Sequence, residues 1–80
     1  MSKEYYKKRL IDLRASLEKE KEAKKKDNAK YAALIKSASS ISTKASYRKY
    51  KVDASASHDR RIESIKRDIE NTKASLKRCK

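Results

Sequence analysis

None of the 80 residues is glycine or proline. Proline breaks helix interiors, glycine weakens them, and tight turns between strands usually need one or the other. A chain without either, rich in Ala, Lys, Glu, Arg and Leu, is suited to long uninterrupted helices. Its one evident interruption is the run Ser37-Ala-Ser-Ser-Ile-Ser-Thr43. Serine and threonine hydroxyls compete for nearby backbone groups, so such clusters favour caps and turns. The expected organisation over residues 1–80 is therefore a single helical hairpin. It has a helix over about 2–37, a turn over about 38–43 and a helix over about 43–79. Ser2 is the expected cap of the first helix, and Ser42 or Thr43 that of the second.

The apolar spacing shows which faces meet. Tyr6, Leu10, Leu13, Leu17, Tyr31, Leu34 and Ala38 fall in one alternating three–four register, with Glu20, Lys24 and Asp27 filling the gap. Ile62, Ile65, Ile69, Thr72, Leu76 and Cys79 repeat that spacing in the second half. This is a coiled-coil-like seam, narrower than the core-facing stripe of a globular helix. Before His58 the register loosens, with Ala45, Tyr47, Tyr50, Ala54 and Ser57 or His58 as seam candidates, as a local stutter would produce. A turn near Ser40–Ser42 makes facing residues sum to about 82. Leu17 then meets Ile65, Leu13 meets Ile69, and Tyr31 and Leu34 meet Tyr50 and Tyr47. The polar stretch at Lys24 and Asp27 meets Ala54, Ser57 and His58. Apolar faces apolar at both ends and polar faces polar between them, which is the strongest sequence argument for an antiparallel two-helix hairpin. Pairs with Glu before the base at i,i+4, such as Glu4 with Lys8, Glu20 with Lys24, Glu22 with Lys26 and Glu63 with Arg67, add local helix support.

So small a seam leaves most of each helix wet, which makes the hairpin a natural part of a dimer or a larger helical bundle. Lys24, Asp27 and His58, with Glu20 beside them, form a polar layer that would fix register rather than supply stability. A carboxylate beside the only histidine also makes a pH-sensitive pair conceivable. Of the five tyrosines, Tyr6, Tyr31 and Tyr47 or Tyr50 read as seam fillers. Tyr5 lies off the seam, and Tyr5 and Ile11 are the candidate partner-binding residues.

The 24 Lys and Arg outnumber the 11 Asp and Glu, for a formal charge of +13. Lys66, Lys73 and Lys80 recur every seven residues beside Arg60 and Arg67, a stripe able to track phosphates. Arg60, Lys66, Arg67 and Lys73 are the candidate polyanion contacts. Against that reading, Asp59, Glu63, Asp68 and Glu70 interrupt the same helix.

Little in the chain suits catalysis. Ser57-His58-Asp59 has the letters of a triad, but consecutive helical residues point about 100° apart and cannot converge on one substrate. A single cysteine, Cys79, allows neither an internal disulfide nor a cysteine metal cluster, and in register it reads as a small hydrophobe. No apolar run approaches the roughly 20 residues of a membrane span, and the start has no signal-like apolar stretch. These features lead to the expectation of a cytoplasmic protein without cofactor or metal, with leaderless export as the alternative.

Three stretches carry a resemblance: Tyr5-Tyr-Lys-Lys-Arg-Leu-Ile-Asp-Leu, Ala45-Ser-Tyr-Arg and His58-Asp-Arg-Arg-Ile-Glu-Ser-Ile. Together they resemble helical hairpins associated with bacterial TIR-domain proteins, where such a segment would help assemble an enzymatic domain. In size and shape the chain is also similar to small helical-hairpin proteins of type VII secretion. It departs from these in lacking a Trp-x-Gly turn and a Tyr-x-x-x-Asp/Glu tail, and in being basic. The resulting expectation is a non-enzymatic assembly or adaptor subunit that binds a protein partner or itself. Nucleic-acid or other polyanion binding through the basic face is the alternative, and a secretion-targeting accessory role the second alternative.

Overall fold

The computed structural model describes residues 2–79. It is an antiparallel hairpin of two helices, α1 over Lys3–Ser37 and α2 over Ile41–Arg78. Ser2 caps α1 as expected, its hydroxyl accepting from the Tyr5 amide at 3.3 Å. The cap of α2 is neither Ser42 nor Thr43. Ser40 takes that place, accepting from the Thr43 amide at 3.1 Å and bonding the Thr43 hydroxyl at 2.7 Å. In a run of hydroxyl residues several could cap, and Ser40 has the partner three residues on that answers with both an amide and a hydroxyl. The helix therefore starts at Ile41, two residues before the expected boundary. The connection shrinks to Ala38, Ser39 and Ser40, of which Ala38 and Ser40 are extended. No described residue has a positive φ, which is how the turn closes without glycine.

The two seams face each other as their spacing requires. On α1 every position of the three–four register from Tyr6 to Ala38 is at least half-buried, polar members included. On α2 the inward positions are Lys44, Tyr47, Lys51, Ala54, His58, Ile62, Ile65, Ile69, Thr72, Leu76 and Cys79. Two consecutive steps of four residues, Ala54 to His58 to Ile62, break the alternation, so the stutter is centred on His58. Ala45 and Tyr50, expected on the seam, are instead exposed, and Lys44 and Lys51 take the inward positions. A lysine can do so by laying its alkyl stem along the partner helix and keeping its ammonium in water.

Full burial is rare. Leu10, Ile62 and Ile69 are the buried hydrophobics, joined by His58 and Thr72. Thr72 satisfies itself locally, donating to the Asp68 carbonyl at 2.7 Å. The molecule is a rod of 62 × 14 × 12 Å with a radius of gyration of 18.1 Å. A compact chain of this length would have roughly 12 Å. Its accessible surface is 6154 Å², where a compact protein of 9.3 kDa exposes roughly 5,000 Å². No helix among the described residues is long and apolar enough to cross a membrane.

Candidate functional site: a charged layer in the seam and an open groove beside it

Halfway along the rod the seam turns polar. Glu20 and Asp27 lie seven residues apart on the inward face of α1, and His58 enters between them from α2. The His58 Nδ1 lies 2.5 Å from Glu20 Oε1, and its Nε2 lies 2.6 Å from Asp27 Oδ2. A neutral imidazole has one N–H, and an ionised carboxylate can only accept. Two carboxylates on the two ring nitrogens therefore call for the imidazolium, which donates to both. The hydrogen bond to Asp27, then that to Glu20, raises the His58 pKa above its ordinary 6.5, although burial pulls the other way.

The surroundings complete the charge balance. Lys24, between the two acids on α1, reaches across to Asp59 Oδ1 at 2.6 Å. Arg61 Nε lies 3.5 Å from Glu20 Oε1. With His58 protonated, the three acids Glu20, Asp27 and Asp59 are matched by the three bases Lys24, His58 and Arg61. Ser55 adds a hydroxyl donated to Asn28 Oδ1 at 2.8 Å. Hydrogen bonds and ion pairs between the helices gather in this layer, from Glu20 to Asn28 on α1 and from Ser55 to Arg61 on α2.

The sequence places Lys24, Asp27 and His58 in one layer, and the structure brings them together. Glu20 was expected beside that layer and paired with Lys24. Instead Glu20 turns to His58 and Arg61, and Lys24 to Asp59. The local pairs that form are i,i+3, namely Glu4–Lys7, Glu63–Lys66 and Glu70–Lys73, at 3.8, 3.9 and 3.4 Å. The layer does not resemble a metal site, because its carboxylates take opposite nitrogens of the ring rather than converging. Among the described residues no group of three or more His, Cys, Asp or Glu is placed to hold a metal ion.

The proposed polyanion stripe is exposed but partly neutralised. Lys66 and Lys73 sit against Glu63 and Glu70, and Arg60 donates to the Ser57 hydroxyl at 3.2 Å. Arg67 is exposed, and Lys80 lies outside the described residues. Tyr5 and Ile11 stand exposed near the open end of the hairpin, Tyr5 edge-on to Tyr6 with ring centroids 5.2 Å apart. Near the turn, Tyr50 lies 6.4 Å from both Tyr31 and Tyr47, an exposed ring resting on two half-buried ones.

A groove on one flank of the seam escaped the sequence reading. Ile35 of α1 and Val52 and Ala56 of α2 line it, with Arg48 and Lys51 toward the turn and Asp59 at the far end. Val52 is 67% exposed. In sequence it is one apolar residue between Lys51 and Asp53, off the seam register. Only the rotation of α2 about its axis shows that it neighbours Ile35.

Comparison with known proteins adds no relative: no family model, curated protein or solved structure matches the chain.

Proposed function

We propose that the hairpin is a non-enzymatic assembly or adaptor subunit that binds a protein partner along its flank. The observation that supports this reading is the open groove of Ile35, Val52 and Ala56. Val52 lies outside the seam and is 67% exposed, and Ile35 and Ala56 are only half-buried at the seam's edge, so apolar surface is left open on this flank. The excess surface of the rod points the same way. Roughly 1,200 Å² more is exposed than in a compact protein of this mass, about the scale of a specific interface. A third or fourth helix packed against the flank would turn the hairpin into a bundle with a closed core.

The test is to purify the native complex from its host with three variants of the full chain. One carries Ile35→Ser and Val52→Ser, one Tyr5→Ser and Ile11→Ser, and one Arg60, Lys66, Arg67 and Lys73 changed to Gln. Loss of the partner protein in the Ile35/Val52 variant, with retention in the base variant, is the expected result; loss confined to the Tyr5/Ile11 variant moves the interface from the flank to the open end. Few side chains usually dominate a protein interface, whereas phosphate contacts are interchangeable and fall steeply with salt. Loss confined to the base variant, together with strong salt dependence, replaces the adaptor reading by polyanion binding.

A further inference from the structure

From Asn28 to Val52 the chain contains no Asp or Glu but six bases: Lys30, Lys36, Lys44, Arg48, Lys49 and Lys51. The turn folds this interval back on itself. All six bases therefore belong to the turn-side half of the rod, within about 18 Å of helix on each arm. The groove opens on this half. Its floor is Ile35, Val52 and Ala56, and its turn-side rim is Arg48 and Lys51. The one acid in its lining, Asp59, is at the other end and is held by Lys24 at 2.6 Å. The charge left to meet an incoming surface is therefore positive.

Resting on the adaptor reading, we infer that this groove receives an acidic amphipathic helix. Arg48, Val52, Ala56 and Asp59 follow one another at three- and four-residue steps along a single face of α2, a line of about 16 Å. That length and straightness match a helix lying alongside, whose apolar side chains at i, i+3 and i+4 would cover Val52, Ala56 and Ile35. Acids flanking that stripe would meet Arg48 and Lys51. A second copy of this chain is the wrong occupant on charge. It would bring +13 against +13. Its most exposed apolar residue on α1, Ile11, has Lys7, Lys8 and Arg14 around it on the helix surface, which sets base against base. A nucleic-acid backbone would use the bases and leave the apolar floor uncovered.

The experiment uses the full chain and four labelled probes, read by fluorescence anisotropy at two salt concentrations. They are a synthetic helical peptide with Leu at i, i+3, i+4 and i+7 flanked by Glu, a scramble of it, a version with Lys for Glu, and a single-stranded DNA oligonucleotide. The ordered acidic peptide is expected to bind at least about tenfold more tightly than its scramble, since only the former presents one apolar face. Val52→Ser should weaken it about tenfold, the scale of one valine returned to water, and Ile11→Ser should leave it unchanged. Val52 is exposed, so circular dichroism should show the variant's helix content intact. Equal binding of the scramble or the oligonucleotide, with no effect of Val52→Ser, reduces the attraction to net charge and overturns the inference. Equal binding of the Lys peptide overturns the acidic partner. A dimer in sedimentation that Val52→Ser dissolves installs the second copy instead. Should the native partner depend on Ile35 and Val52 while the acidic peptide fails to bind, the inference falls and the adaptor reading stands. Should the native interaction depend on the bases alone, both fall.

Discussion

Replacing His58 by leucine removes the only cation that touches both Glu20 and Asp27. Breaking a fully buried ion pair from one side costs about 3–5 kcal/mol, because the remaining charge is stranded. Here the side chain of Glu20 is 18% exposed and that of Asp27 39% exposed, and Arg61 lies 3.5 Å from Glu20. These place the loss at the low end, about 3 kcal/mol, and the leucine returns about 1 kcal/mol through its own burial. The net expectation for His58→Leu is a destabilisation of about 2 kcal/mol near pH 6, or about 10 °C in Tm for a domain of this size. Helix content should change less than the oligomer distribution or the cross-seam contacts, since a polar seam residue chiefly specifies pairing.

The pH dependence gives this prediction its sign. Unfolded, His58 titrates near 6.5; in the hairpin its pKa is raised. Below 6.5 the ring is protonated in both states, and its contribution to stability is fully present. That contribution is lost as pH rises through the raised value, when the folded ring gives up its proton. Wild-type stability from urea denaturation should therefore fall as pH rises above about 6.5 and through the raised pKa, and the His58→Leu profile should be flatter, so that the two draw together on the alkaline side. A His58→Leu protein as stable as wild type at pH 6, with the same slope against pH, would refute the imidazolium clamp.

Ser40→Ala should destabilise the hairpin by about 1 kcal/mol, while Ser42→Ala stays within about 0.5 kcal/mol, since Ser40 alone caps α2; equal Tm losses would return the cap to the later position. Ile69→Ala should cost about 2–3 kcal/mol and Ile11→Ala less than about 0.5 kcal/mol, because Ile69 is buried and Ile11 is 65% exposed. Urea midpoints of the two variants check this, and comparable losses would mean that Ile11 is covered in the folded state.

The architecture was legible because hydrophobic spacing on a helix reports which face is buried. The α1 register from Tyr6 to Ala38 was readable end to end, and so was α2 from Ile62 onward. The turn followed from the hydroxyl-rich run Ser37–Thr43, and the match of the two seams supported it. The ring contact Tyr31–Tyr50, the salt bridge Lys24–Asp59 and the hydrogen bond Asn28–Ser55 all obey the expected sum near 82 within one residue. What was not legible depends on side-chain choice among equals. Within Ser37–Thr43 no rule of spacing selects Ser40 as the cap. Before the stutter, lysines and tyrosines compete for the inward positions, and the long lysine stems win at 44 and 51 while Tyr50 turns outward. Glu20 could have paired along its own helix with Lys24, and only the approach of His58 decides that it does not.

The charged layer and the groove are joined through shared residues. Asp59 binds Lys24 across the seam and also lines the far end of the groove. Ser55 bonds Asn28 and lines the same groove. The polar layer therefore does more than hold two helices in line. The short connection Ala38–Ser40 limits how far α2 can slide along α1, and the seating of His58 between Glu20 and Asp27 is satisfied in that same register, with Val52 beside Ile35. A slip of one helical turn, about 5.4 Å, would carry Val52 away from Ile35 and take the apolar floor apart. The three-residue connection and the apolar pairings at the open end oppose that slip as well. The imidazolium between two carboxylates has no second register that satisfies both nitrogens. The polar layer and the groove thus share Ser55 and Asp59, and the register that satisfies His58 is the one that sets Val52 beside Ile35.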